Sequence, residues 1–159
     1  MILTENKELV GAFVASRVKP GEFVPWGNFS VLGLAKGRRL VAGIVYNHYS
    51  PPNICMNVAG EEGGRWMTPE FLFAAFDYPF NALGLARVTA FIAASNKASL
   101  RLTEKVGFTQ EGCLRKALPD GSDQLVFGML KEECKWISND FAMRLEKRFK
   151  LRGKAISHA

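Results

Sequence analysis

The chain contains few of the residues that usually build metal sites and disulfide frameworks. Its 159 residues include three cysteines and two histidines. Cys55, Cys113 and Cys134 lie far apart and form no C-x-x-C pair, so we predict reduced thiols that pack inside a cytoplasmic protein. Neither His48 nor His158 has zinc-ligand spacing from a cysteine pair. The sequence therefore disfavours a structural zinc site and a Ser-His-Asp hydrolase, and no metal is expected.

Long apolar runs are also missing. No apolar stretch approaches the ~18 residues that a membrane-spanning helix needs, and the N-terminal sequence MILTENKELV lacks the basic flank and apolar centre of a signal peptide. The composition, with 48% hydrophobic and 11% aromatic residues, is typical of a globular protein. We therefore expect a cytoplasmic globular protein without a membrane partner.

The formal net charge of +6 is concentrated near the C-terminus. Residues 144–154 (RLEKRFKLRGK) contain six Lys or Arg residues and one Glu, so the rest of the chain is close to neutral. The same region carries apolar residues at four-residue spacing, namely Ile137, Phe141, Leu145 and Phe149. This pattern predicts a folded domain over 1–136 and a basic amphipathic helical extension over 137–159.

The apolar stripe of this extension is expected to dock on the same domain or on a second copy of the chain, which would give a homodimer. Large apolar groups that form a continuous patch are rarely left in water. A nucleic-acid partner is less favoured, because stacking aromatics and a sequence-reading motif are lacking beside the cations. A membrane-surface helix has no lipidation signal to support it.

Periodicity and turn residues predict an alternation of helices and strands. Thr4 is a candidate N-cap for the first helix, and Thr68-Pro69-Glu70 is a strong start for the second. Asn96 and Gly107 mark the start and the end of a third helix. The predicted elements are a helix over 4–18, strands over 30–35, 40–49 and 54–59, a helix over 68–83 that Pro79 bends or interrupts, a strand over 87–94, a helix over 97–106, a hairpin over 108–116 and 124–130, and a terminal helix from 136. The strand–helix–strand crossover implies one parallel pair in a mixed α+β sheet.

This order of elements and the stretch NKASLRLTEKVGFTQEGCLR, residues 96–115, resemble the GNAT N-acetyltransferase superfamily. The matching positions are Asn96, Ser99, Arg101, the run EKVGF at 104–108, Glu111, Gly112, Arg115 and Asp123. Within the superfamily the chain is most similar to the branch that acetylates ribosomal-protein N-termini and to phage-borne members. The resemblance implies a mostly antiparallel sheet with a central splay, flanked by helices, and an acetyl-CoA-dependent transfer to a primary amine.

The resemblance also implies where acetyl-CoA would bind. The pantetheine arm would lie in the splay between the strands 54–59 and 87–94, and the helix that starts at Thr68 would face the pyrophosphate. The family's phosphate loop has the pattern Q/R-x-x-G-x-G/A, whereas this chain has RWMTPE, with the first residue matching and both glycines absent. The implied cofactor contacts are Val58, Ala59, Arg65, Trp66, Thr68, Asn96 and Arg101. Asn96 also suits an ordinary N-cap, and the two roles are compatible.

The sequence offers fewer candidates for catalytic residues than for cofactor contacts. Many acetyltransferases place a tyrosine general acid where this chain has Thr103, so that route is excluded here. By resemblance Ser99 would donate a proton to the leaving thiolate, and its alternative is a surface serine. Glu61 and Glu62 follow the third strand, where a carboxylate would orient a water toward the amine; the simpler interpretation is loop solvation. Near the last hairpin, Asp120 and Asp123 are acidic substitutes by proximity alone.

The acceptor side is the least informative part of the sequence. Trp26, Tyr46, His48 and Tyr49 are candidates to line a groove, and packing in the core or at the rim is the alternative for each. Two rival functions therefore stay open beside amine acetylation. One is a GNAT scaffold that has lost efficient catalysis and binds a protein or nucleic acid, and the other is a related transferase that modifies a nucleobase or a small molecule with another acyl group.

Overall fold

The structure, a computed structural model, describes residues 1–3 and 5–156. Seven strands form one sheet in the order β1-β2-β3-β4-β5-β7-β6. The strands are β1 Ile2–Leu3, β2 Ser30–Lys36, β3 Arg39–Ser50, β4 Asn53–Gly60, β5 Arg87–Ala93, β6 Thr109–Leu114 and β7 Gln124–Leu130. The helices are α1 Lys7–Val18, α2 Pro69–Asp77, α3 Lys97–Val106 and α4 Asn139–Ile156. Within these described residues no helix is long and apolar enough to cross a membrane.

One short parallel seam joins two antiparallel halves of the sheet. β4 pairs with β5 in parallel over Asn53–Cys55 and Arg87–Thr89, and the remaining strand pairs are antiparallel. Beyond these three residues β4 continues to pair only with β3, and β5 continues along β7. The predicted mixed α+β sheet with a central splay is confirmed.

Local signals in the sequence determine several helix ends. The Asn96 side chain accepts a hydrogen bond from Ser99 N at 3.0 Å, and Gly107 ends α3 in the left-handed region with φ 119°. Thr68 caps α2 by accepting from Phe71 N at 3.2 Å. The predicted start of α1 was wrong: Asn6 caps it by accepting from Leu9 N at 3.1 Å, and the candidate cap Thr4 lies outside the described residues.

The predicted helix over 68–83 is interrupted by a proline. Regular α-helix ends at Asp77, and a π-helical turn follows over Tyr78–Ala82. Pro79 has no N–H to donate to the carbonyl of Ala75, one turn earlier. The Tyr46 hydroxyl donates to that carbonyl at 2.7 Å. Burial raises the pKa of this hydroxyl well above its usual value, so it stays a proton donor.

Helices cover the two faces of the sheet unequally. On the first face, here called the α1 face, Val10 and Val14 of α1 pack on Val31, Val45 and Ala59. On the opposite face α2 and the end of α3 pack on a larger core from β2, β3, β4, β5 and β7. Because the contacts of α1 are with β2, β3 and β4, the α1 face of β5, β7 and β6 has no helix packed on it among the described residues.

The C-terminal helix packs on its own chain. Leu145 is 7% exposed, and the Trp136 indole, just before α4, donates to Val106 O at 2.8 Å and meets Phe141 edge-on. The Arg148 guanidinium lies 3.6 Å from the Glu70 carboxylate in the first turn of α2. The first part of the predicted stripe therefore contacts the domain, whereas the side chain of Phe149 lies outside the described residues. The division at 136/137 stays a prediction.

Replacing Leu145 by alanine should lower the free energy of unfolding by about 2–3 kcal/mol, because the substitution removes a buried side chain and leaves a cavity. Met143→Ala is the matched control, since Met143 is 61% exposed on the same helix and should change stability by less than about 0.5 kcal/mol. Urea unfolding followed by circular dichroism measures both. Equal stability of the two variants would mean that α4 does not unfold together with the domain.

Candidate active site

A groove opens where β4 and β5 diverge. It continues from the rim of α3, across the two separated strands, to the end of α1. Its lining residues are Arg17, Val18, Met56, Asn57, Val58, Ala59, Gly60, Trp66, Phe91, Ile92, Ala93, Asn96, Ala98, Ser99 and Leu102. Val58 and Phe91 are each about two-fifths exposed. The groove therefore combines an apolar floor with exposed strand backbone.

The open backbone edge of β4 is the part of this groove best suited to a pantetheine arm. From residue 56 to Gly60 the strand is paired with β3 on one side, while its pairing with β5 has ended at Cys55. Strand N–H and C=O groups on the unpaired side retain their hydrogen-bonding capacity. An extended chain with amide groups, such as the pantetheine arm, can satisfy them as an added strand does.

A second, apolar cavity of about 90 Å³ lies behind the groove, beneath α2 and α3. Trp66, Ser99 and Leu102 line both spaces. Ser99 and Thr103, one turn apart on α3, supply the only side-chain hydroxyls of the cavity wall among the described residues. Ser99 is thus half-buried at the junction of groove and cavity, and its backbone N–H is already bound by Asn96.

Trp66 is a buried wall of the site. Its side chain is 9% exposed, and its ring meets Phe71 edge-on with centroids 6.2 Å apart. The indole also lies directly on Gly60, where an added Cβ would overlap the ring. A glycine is therefore needed at the end of β4 to admit the tryptophan. The cofactor role implied for Trp66 is limited to the part of its ring that faces the groove.

The phosphate end of the implied site has an unusual charge arrangement. Arg65 and Thr68 precede α2 but do not line the groove, and the Thr68 hydroxyl is occupied in capping the helix. Glu70 places a carboxylate in the first turn, where it would repel a phosphate. Arg148 of α4 lies 3.6 Å from this carboxylate and offsets its charge. Arg101, also implied as a cofactor contact, is exposed on α3 outside the groove.

Neither predicted carboxylate lies in the groove. The Glu61 backbone N–H donates to Val41 O at 2.9 Å, which directs the chain toward the β2–β3 hairpin. The Glu61 side chain pairs there with Arg39 at 3.1 Å. Glu62 is exposed in the following turn. Of the three catalytic candidates, only Ser99 is brought to the splay.

The four aromatic candidates for acceptor binding do not form one site, although Tyr46 and Tyr49 line the same depression away from the groove. Trp26 donates from its indole to Gly11 O at 3.1 Å and packs beside α1. Tyr46 is 1% exposed, with its hydroxyl bound to Ala75 O, and is a core residue. Tyr49 is 55% exposed beside a separate shallow depression. His48 is exposed at φ 49°, within the irregular pairing between Asn47 and Ser50.

Sequence reasoning missed a polar network on the α1 face next to the splay. Arg87 Nη2 bonds Glu111 Oε2 at 2.6 Å and Thr89 Oγ1 at 3.3 Å, and Thr89 Oγ1 donates to Asn53 Oδ1 at 2.8 Å. Gly128 lies beneath this pair, and an added Cβ there would overlap the Glu111 carboxylate. The sequence pattern of the family did include Glu111, but nothing in the pattern indicated that Arg87 is its partner.

The cysteine nearest the splay is not a nucleophile. Cys55 is buried opposite Thr89, where the β4–β5 pairing ends. Burial raises the pKa of the Cys55 thiol, and the Arg87 guanidinium acts in the opposite direction. The thiol is therefore neutral near pH 7, whereas covalent catalysis would use a thiolate. Among the described residues no group of three or more His, Cys, Asp or Glu side chains could hold a metal ion.

Gly60→Ala should destabilise the protein by about 1–3 kcal/mol, because the new methyl group forces Trp66 out of its place. Gly112→Ala is the matched control in another strand, since an added Cβ there meets Val126 at 3.9 Å, an ordinary contact. Thermal and urea unfolding compare the two variants. If they are equally stable, Trp66 does not depend on the space at Gly60.

Comparison with known proteins identifies the family. A family model described as "Acetyltransferase (GNAT) domain" matches residues 16–109. The uncharacterized N-acetyltransferase YoaA of Bacillus subtilis (strain 168) is 45% identical over 47 residues, which are 30% of this chain and 27% of that protein. The chain thus matches about a quarter of the length of that relative.

Solved structures share the fold. A spermidine N-acetyltransferase SpeG mutant from Vibrio cholerae has a TM-score of 0.71 at 12% identity, over 88% of this chain and 99% of that one. A putative acetyltransferase from T. thermophilus has a TM-score of 0.60 at 25% identity, over 74% of this chain and 67% of that one. These matches do not support the narrower resemblance to the ribosomal-protein and phage-borne branch. The family match covers more than half of the chain, which therefore belongs to the GNAT acetyltransferase family.

Proposed function

We propose that the chain is an acetyl-CoA-dependent N-acetyltransferase that acetylates a primary amine of a protein N-terminus, a lysine or a small molecule. The observation that carries the proposal is the splay: an unpaired edge of β4 with Ser99 and Asn96 at its rim, in a chain of this family. GNAT enzymes use acetyl-CoA, which supplies an acyl group activated as a thioester. The residues present fit its pantetheine arm better than its phosphates.

In this proposal the chain's own groups bind and orient the cofactor. The Val58 backbone bonds the arm along the open edge of β4, and Ala59, whose own N–H and C=O point toward β3, lies beside it. The Asn96 amide nitrogen is available because its Oδ1 accepts from Ser99 N. The N-terminus of α2 faces the phosphates with the positive end of its helix dipole, since Pro69 has no N–H and Phe71 N is already bound to Thr68. Arg148 offsets the charge of Glu70 there, which compensates in part for the missing glycine loop.

Proton transfer is the other task of the site. Ser99, at the junction of groove and cavity, donates a proton to the leaving thiolate. A carboxylate base is lacking among the described residues that line the groove, since Glu61 is paired with Arg39 outside it. The acceptor amine therefore either loses its proton to water or binds in its neutral form.

The acceptor and the partners are less constrained. Relatives of the same fold are named a spermidine N-acetyltransferase and an IAA acetyltransferase, which supports acyl transfer as the chemistry without identifying the acceptor here. A homodimer through α4 remains part of the proposal, and one fold relative is described as dodecameric. Nucleic acid stays the less favoured partner.

The alternative is a GNAT scaffold with weakened catalysis that acts as a binding module. The observations that favour it are the missing phosphate-loop glycines and Thr103 at the place of the family's tyrosine. Calorimetry with acetyl-CoA and a mass-shift screen of amine acceptors separate the two. Binding followed by an adduct of ~42 Da, one acetyl group, is expected of the enzyme. No binding at millimolar acetyl-CoA and no adduct would favour the module.

Arg65→Ala should weaken acetyl-CoA binding by about 1 kcal/mol or more, the usual effect of losing a charge-assisted contact to phosphate. Calorimetry with acetyl-CoA and with dephospho-CoA tells which phosphate is involved. Arg38→Ala is the control, because Arg38 is exposed in the β2–β3 turn, away from the groove. Unchanged affinity of the Arg65 variant for both cofactors would remove Arg65 from the site.

Ser99→Ala should lower kcat with little change in acetyl-CoA affinity, because a proton donor to the thiolate acts mainly in the transition state. The control is Ser95→Ala, a serine just before α3 that does not line the groove. Steady-state rates and calorimetry provide the two readouts. Full turnover in the Ser99 variant would assign protonation of the thiolate to water.

A further inference from the structure

We infer that Arg17 selects acceptors that carry a carboxylate next to the reacting amine. The inference rests on the proposed acetyl transfer and adds the class of acceptor. Arg17 is an exposed residue in the last turn of α1. It lines the same groove as Asn57, Phe91 and Ser99.

The position of Arg17 is on the acceptor side of the splay. Asn57 and Ala59 of β4 face α1, and the exposed Phe91 of β5 lies across the divergence from them. The N-terminus of α2, to which the phosphates are assigned, and the apolar cavity lie on the opposite face of the sheet. A thioester held in the splay would therefore be approached from the α1 face, where Arg17 lies.

Its guanidinium is held in place by its own helix. The Cζ atom lies 3.6 Å from the centroid of the Phe13 ring, and Nη1 donates to Phe13 O and to Ser16 Oγ, each at 3.2 Å. Within the described part of the chain, Nε and Nη2 donate to no protein group, and no carboxylate lies within 4 Å. A pre-positioned Arg with two free nitrogen donors suits a carboxylate, which can accept from both.

The charge of the groove favours the same class of acceptor. Arg17 is the only charged side chain among the described residues that line it. Glu111, the carboxylate on the neighbouring sheet surface, is already paired with Arg87 at 2.6 Å. A polyamine would therefore meet a cation without a counter-charge. A cation near an ammonium group also lowers the pKa of that group, so Arg17 favours the neutral amine that must attack.

The test compares matched acceptors that differ in one charge. One arm uses N-terminally free peptides that begin Ser-Asp or Ser-Asn and are otherwise identical, and the other uses alanine and alaninamide; spermidine represents the polycations. The wild type should prefer the acid of at least one pair by about tenfold or more in kcat/KM. Arg17→Ala should reduce this ratio to within about threefold of unity, and Arg17→Glu should invert it. Arg38→Ala is the control and should keep the preference.

Binding measured without turnover tests the role of Arg17 separately from the proposed acetyl transfer. Calorimetric titration of each acceptor into the protein saturated with CoA should show the same acid preference and the same loss in Arg17→Ala. Equal treatment of acid and amide in both pairs, or a preference that survives Arg17→Ala, overturns the role of Arg17. An Arg17-dependent binding preference without acetylation would instead support the role and overturn the proposed reaction. Which pair responds tells a peptide acceptor from a free amino acid.

Discussion

The three-residue parallel seam between β4 and β5 is the constraint on which the site depends. Each of the two strands is held along its length by an antiparallel neighbour, β3 or β7. The two halves of the sheet can therefore diverge after Cys55 and Thr89 without losing their own pairing. The divergence leaves an open backbone edge, a groove and an apolar cavity at one place, and the proposed pantetheine arm would bind along that edge as an added strand does.

The position of α2, the helix next to the splay, depends on one proline and one tyrosine. Pro79 ends the regular part of α2 and deprives the Ala75 carbonyl of its helical donor. Tyr46 of β3 supplies a replacement donor from the core. The hydrogen bond ties the end of α2 to the half of the sheet that contains β4, so the helix proposed to face the phosphates with its N-terminus is fixed at its other end.

The phosphate end departs most from the family pattern. Without the glycine loop, Trp66 fills the space over Gly60 and joins the core. Glu70 brings an unfavourable charge, and α4 brings Arg148 to it. The basic helix thus has a contact within the domain that its charge pattern did not predict. The apolar stripe and the charge of α4 both serve to hold the helix on the domain: Leu145 is buried, and Arg148 pairs with Glu70.

The sequence by itself determined the order of the elements from α1 to α4, the mixed sheet, the caps at Thr68 and Asn96 and the family, whereas the two-residue strand β1 was not predicted. These features arise from local periodicity, from capping side chains and from a contiguous pattern. Only the tertiary structure decided that Glu61 leaves the groove and that Arg17 enters it. Both placements follow from non-local contacts: β3 holds the end of β4 through Val41, and packing of α1 across the sheet brings its last turn to the splay. Neighbours in sequence do not encode such contacts, because they depend on how separate elements pack against each other.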